Sequence, residues 1–122
     1  MEGLGIDIVE VARFDKYANN LESRFCKRVF TQYELDYLST KGQASMAGLF
    51  AAKEAVSKAL GTGFSGFFPN EIEIKHDSKG APYVNLQGIT KQLADGSKIL
   101  VSISHTKTLA VAAAIKLNQQ TN

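Results

Sequence analysis

An unbroken helical period from near Ser45 to Leu60, halted by Gly61-Thr62-Gly63, constrains this chain more than any other segment. At about 100° per residue, Leu49, Ala52, Val56 and Leu60 form an apolar stripe, with Glu54 and Lys58 opposite. Ala47 and Ala51 share the side of Glu54 and Lys58. A plainly solvated face would carry more long polar groups, so these small residues leave room for something to approach. Lys53 falls at the edge of the apolar stripe, where its aliphatic stem can snorkel.

The rest of the chain is made of shorter pieces. Gly3 to Val9 alternates as a strand, with Leu4, Ile6 and Ile8 on one face and Gly3, Gly5, Asp7 and Val9 on the other. Val11 to Leu21 has helical spacing. Glu22 to Arg28 is densely charged. Thr31 to Leu38 predicts a second helix, opened by a Thr31/Glu34 capping box. After a Gly/Phe-rich loop, Glu71–Lys75 and Tyr83–Leu86 read as two strands around the turn Asp77-Ser78-Lys79-Gly80. Ile89 to Ala94 predicts a short helix closed by Asp95-Gly96. A strand from Ile99, a turn at His105 to Thr108 and a strand from Leu109 to Leu117 complete the pattern. The expected class is α+β, a small antiparallel sheet packed against a long helix and shorter helices. Residues 1–118 are expected to form one domain and 119–122 a polar C-terminal tail. A chain of 122 residues holds one core and is too small for two.

Composition narrows the function classes. A net charge of +2 is too weak a basic footprint for nucleic acid. No apolar run has the length of a membrane span, and no signal segment opens the chain, so the expected compartment is the cytoplasm. Cys26 is the single cysteine, which excludes an internal disulfide; a semi-buried free thiol is expected.

Several residues carry candidate chemistry. Asp7 stands in a strand, where acidic residues are disfavoured. With Glu54 it supplies two hard oxygen ligands, enough for Mg²⁺, which leaves its other positions to water and substrate phosphates. The plainer readings are a strand-end carboxylate bonding loop amides and an i,i+4 pair of Glu54 with Lys58. Lys58 beside Gly61-Thr62-Gly63 can neutralise phosphate while loop amides bind its oxygens, or the segment is an ordinary helix stop. No Walker order is present. Ser104 and His105 adjoin at a strand end, but alternation points them to opposite faces, against a Ser-His hydrolase pair. A phosphate-binding His105 and a satisfied turn histidine remain, and His76 reads as a surface residue. Arg13, Lys16, Arg24, Lys27 and Arg28 form a locally basic stretch suited to an acidic protein partner or to plain solvation.

Three blocks, Gly5-Ile6-Asp7-Ile8-Val9-Glu10, Phe50-Ala51-Ala52-Lys53-Glu54-Ala55 through Lys58-Ala59-Leu60-Gly61-Thr62-Gly63, and Ser102-Ile103-Ser104-His105-Thr106, together resemble the bacterial holo-acyl carrier protein synthases. These are the small class of 4′-phosphopantetheinyl transferases. The resemblance spans essentially the whole chain. It implies transfer of phosphopantetheine from coenzyme A to a serine of apo-acyl carrier protein in fatty acid biosynthesis, with release of adenosine 3′,5′-bisphosphate. It also implies Mg²⁺ on Asp7 and Glu54, with Lys58 near the pyrophosphate as the third catalytic group. Gly61, Thr62 and Gly63 would lie against coenzyme A, Ser104, His105 and Thr106 at the nucleotide phosphates, and Pro82 at the edge of the site. Arg13, with Arg24 and Arg28, would meet the carrier protein. The family is homotrimeric with active sites at subunit boundaries, and the small-residue face Ala110, Ala112 and Ala114 is expected to pack on a neighbour. Many members carry Arg where this chain has Leu49. The competing reading is a non-catalytic trimeric module that binds a nucleotide or an acidic protein.

Overall fold

The computed structural model describes residues 3–118; the tail expected at 119–122 lies outside the described residues. Strands β1 (Gly3–Glu10), β4 (Lys98–His105) and β5 (Leu109–Leu117) form an antiparallel sheet in the order β1-β5-β4. A separate hairpin pairs β2 (Ile72–His76) with β3 (Pro82–Leu86). Helix α4 (Gln43–Ala59) lies across one face of the three-stranded sheet. Four shorter helices, α1 (Asp15–Ala18), α2 (Arg24–Val29), α3 (Gln32–Leu38) and α5 (Gly88–Ala94), complete the α+β fold.

The small residues of α4 have a structural purpose. A Cβ added to Gly5 would sit 1.8 Å from the carbonyl oxygen of Ala55, and one on Gly3 would sit 2.0 Å from that of Ala59. The backbones of β1 and α4 therefore touch, and only glycine fits between them. Ala47, Ala51 and Ala55 are wholly buried. The opposite side of the helix is buried too, so the single apolar stripe expected from the sequence becomes a helix enclosed from Met46 to Ala59 except at Glu54 and Lys58.

The second face of the sheet reverses one expectation. Ala110, Ala112 and Ala114 are sealed within the subunit under α4 and offer nothing to a neighbour. Their outward counterparts form the open surface instead. Leu4, Ile6 and Ile8 are about 60% exposed (59%, 62% and 61%), and Leu100 is exposed beside them.

Lys53 does not snorkel. Its side chain is 0% exposed and its ammonium donates to Glu34 Oε1 at 2.7 Å and to the carbonyls of Ile72 and Pro69. Glu34 also accepts from the backbone amides of Thr31 at 2.9 Å and Ile74 at 2.7 Å. The expected capping box is present, and the same glutamate ties α3 to α4 and β2. Burial pushes the Lys53 pKa down, against the opposing pull of Glu34.

The helix expected over Val11–Leu21 is shorter. Val11–Phe14 is a 3₁₀ turn, α1 stops at Ala18, and the Asn19 side chain donates to the Asp15 carbonyl. Asn19 and Asn20 are weak helix formers that favour such local bonds. The charged stretch that follows conceals α2, capped by Ser23 Oγ, which accepts from the Cys26 amide at 3.2 Å. Cys26 is fully buried rather than semi-buried, in a core that includes Phe14, Phe30 and Phe50.

Candidate functional site

Asp7 owes its place in β1 to the pleat. It shares the inward face with Gly3, Gly5 and Val9, and so points toward α4. There Lys58 Nζ lies 3.1 Å from Asp7 Oδ1 and donates to the Ile6 carbonyl at 2.9 Å. Asp7 Oδ2 is buried with no hydrogen-bond partner. Glu54, one turn before Lys58 on the same face, has its pKa raised by burial first and by the charge of Asp7 second, with Lys58 and Arg13 opposing. Two carboxylates that repel each other, one of them with an unsatisfied buried oxygen, suit a hard divalent cation. Among the described residues no cluster of three or more His, Cys, Asp or Glu side chains occurs. A cation at Asp7 and Glu54 would thus keep most of its coordination for water and substrate, as Mg²⁺ commonly does.

The Gly61-Thr62-Gly63 loop differs from its expected role in one respect. The amide of Gly61 donates to the Lys58 carbonyl, and those of Thr62 and Gly63 both donate to the Ser57 carbonyl. These three donors are occupied in closing α4, so they do not form an amide cradle for phosphate. Gly61 and Gly63 have positive φ (90° and 59°), and added Cβ atoms would meet nothing within 4 Å. What the loop offers is open space at the Lys58 end of the helix.

His105 and Pro82 are brought together elsewhere. They line a cavity of about 170 Å³ with Tyr37, Ser45, Leu49 and His76. Neither Asp7, Glu54 nor Lys58 lines it. Gly48, which does, lies about 9 Å along the helix axis from Glu54, and β4 is two strands away from β1. Such a volume is below that of ordinary small-molecule pockets. Ser104 faces the outer side of the sheet, as strand alternation requires, and does not join His105. The Thr106 hydroxyl accepts from the amides of Thr108 at 3.2 Å and Leu109 at 3.1 Å, shaping the β4–β5 turn. Leu49, 2% exposed, is core as well as cavity wall.

His76 is a correction: it is half-buried and stacked on Tyr37 at 4.2 Å, not a plain surface residue. Burial and the charge of Lys41 push its pKa down. Tyr37 and His76 come from separate elements, so no local spacing could have announced the pair. Arg13 lies over the rings of Phe14 and Phe50 at 5.5 Å each, near enough to Glu54 to oppose the rise in its pKa. Arg24 and Arg28 are exposed on one face of α2. A larger groove of about 960 Å³ between β3, α5 and β4 contains Pro82 but no other expected site residue.

Comparison with known proteins shows which family the chain resembles. The model of the 4′-phosphopantetheinyl transferase superfamily matches residues 3–114. A holo-[acyl-carrier-protein] synthase of Thermoanaerobacter sp. (strain X514) is 48% identical over 98% of this chain and 89% of that protein. The Helicobacter pylori holo-[acyl-carrier-protein] synthase solved with coenzyme A is 32% identical, with a TM-score of 0.82 over 93% of this chain and 98% of that one. The Bacillus anthracis holo-(acyl-carrier-protein) synthase, solved with CoA (3',5'-ADP), is 33% identical, with a TM-score of 0.81 and 97% of each chain covered. From Gly3 to Ala114, therefore, this chain belongs to the 4′-phosphopantetheinyl transferase superfamily.

Proposed function

We propose that this chain, as a single domain over residues 1–118, transfers the 4′-phosphopantetheine group of coenzyme A to a serine of apo-acyl carrier protein in fatty acid biosynthesis. The observation that carries the reading is the meeting of Asp7, Glu54 and Lys58, with one Asp7 oxygen buried and unpaired. Relatives named holo-[acyl-carrier-protein] synthase, and solved structures of such proteins with coenzyme A, support it. In the reaction the serine oxygen bonds to the β-phosphorus of coenzyme A. The bond to the adenosine 3′,5′-bisphosphate oxygen breaks, and the serine proton is released.

Asp7 and Glu54 would hold Mg²⁺, which supplies neutralising charge at the pyrophosphate when bound. Lys58 offsets charge on the leaving bisphosphate. His105, Thr106 and Pro82 receive the nucleotide end of coenzyme A, with Ser104 at the same strand end. Gly61, Thr62 and Gly63 leave space for the coenzyme beside Lys58. Arg13, supported by Arg24 and Arg28, docks the acidic carrier protein near Glu54.

Asp7 and His105 occupy different parts of one subunit, which favours a site completed by a second copy. The exposed Leu4, Ile6 and Ile8 face is the surface we assign to a homotrimer, because an apolar patch of this kind calls for a partner. No helix among the described residues is long and apolar enough to cross a membrane, which is compatible with a cytoplasmic setting.

The test is incubation with apo-carrier protein, coenzyme A and Mg²⁺, following the nucleotide product by chromatography. Release of adenosine 3′,5′-bisphosphate in step with carrier modification is expected. Carrier or coenzyme binding without any release would identify a non-catalytic module and overturn the proposal.

A further inference from the structure

We infer that Lys58 is a resident counter-ion for Asp7 in the metal-free protein, which a divalent cation displaces and which thereby becomes free to meet substrate phosphate. This rests on the metal reading given under the proposed function. Lys58 Nζ is held by two bonds to adjacent residues of β1, the Asp7 carboxylate at 3.1 Å and the Ile6 carbonyl at 2.9 Å. Its positive charge therefore sits on one oxygen of the carboxylate that a cation would use, next to the unpaired Oδ2. The helix bearing it cannot yield, because its backbone is pressed against Gly3 and Gly5 of the same strand. The side chain can. It is 47% exposed, and a lysine carries its charge on a flexible four-carbon stem.

Asp7 is only half satisfied by this arrangement. Its side chain is 16% exposed, and Oδ2 is buried without a partner while Oδ1 takes the ammonium. A divalent cation would satisfy both needs of the carboxylate pair, but it cannot share Oδ1 with a positive charge so close without repulsion. Metal binding to the free protein is therefore weakened by its own lysine. A pyrophosphate gives Lys58 a new partner, and metal and coenzyme then favour each other's binding reciprocally.

Mn²⁺ serves as the probe, titrated into the full-length protein without coenzyme A and followed by electron paramagnetic resonance. Lys58→Met is expected to bind Mn²⁺ about fivefold more tightly than the wild type, the factor that a partly exposed ion pair is worth. Addition of coenzyme A should tighten Mn²⁺ binding in the wild type and do so less in Lys58→Met. Lys58→Gln guards against a folding defect peculiar to the apolar variant and is expected to behave alike. Equal or weaker Mn²⁺ affinity in both variants overturns the inference. Asp7→Asn separates the two claims: loss of Mn²⁺ binding supports the site itself, whereas undiminished binding puts the metal elsewhere and removes the underlying reading.

Discussion

Asp7 was legible in the sequence because a carboxylate in the middle of a strand requires a reason, and the structure supplies one in the Lys58 ammonium and the nearby Glu54. Lys53 was not legible. Its position at the edge of an apolar stripe suits a snorkelling stem as well as a buried charge, and only Glu34, from another helix, decides between them. Nor could the sequence tell that the amides of the Gly61-Thr62-Gly63 loop are occupied, since that depends on how α4 closes. Glu54 has a consequence in pH. Its folded pKa is raised, so its contribution to stability is complete below the unfolded value near 4.5 and is lost as pH rises through the folded value. Glu54→Gln cannot ionise. In metal-free buffer it should melt higher than the wild type near pH 7, with the advantage disappearing near pH 4. A thermal melt at both pH values checks this, and an equal difference at the two would mean that burial and the charge of Asp7 do not disfavour the ionised Glu54.

At the scale of elements, α4 was the most readable part of the chain, and its length and glycine stop agree with the sequence within about two residues. Its surroundings were less readable, because periodicity assigns faces to a helix but does not say how many of them are covered. The short α2 is not legible because Glu22, Arg24, Lys27 and Arg28 mask the spacing of Cys26 and Val29. Two substitutions probe the packing. Gly5→Ala sets a methyl against the Ala55 carbonyl and is expected to cost about 3 kcal/mol in a urea melt, with β1 forced off the helix. Lys53→Met leaves the Glu34 carboxylate buried and unpaired, at a cost of about 3–5 kcal/mol. The double variant Lys53→Met with Glu34→Gln should lose much less than the sum of the two single losses. Additive losses would show that the ion pair is not a unit.

The α+β class, the two final strands with the turn between them and the likeness to the family were legible at the scale of the whole molecule, through alternation and three separated motifs. Which face of β5 is free was not: the small side chains of Ala110, Ala112 and Ala114 suit a neighbouring subunit and a covering helix equally, and α4 covers them. The outer face of Leu4, Ile6 and Ile8 and the separation of Asp7 from His105 lead to a complementation experiment. Subunits with Asp7→Asn and subunits with His105→Ala, each expected to be strongly slowed in isolation, should regain part of the wild-type turnover when co-expressed, because mixed assemblies rebuild some intact boundaries. No recovery would mean that each subunit holds a complete site. The central claim, phosphopantetheine transfer dependent on Asp7 and Glu54, is tested most directly by the intact mass of apo-acyl carrier protein after incubation with coenzyme A, Mg²⁺ and each variant. The wild type should add the mass of one phosphopantetheine group, and Asp7→Asn and Glu54→Gln should do so on the order of 10²- to 10³-fold more slowly. An unmodified carrier with the wild-type protein, or near-normal rates in both variants, would contradict the account.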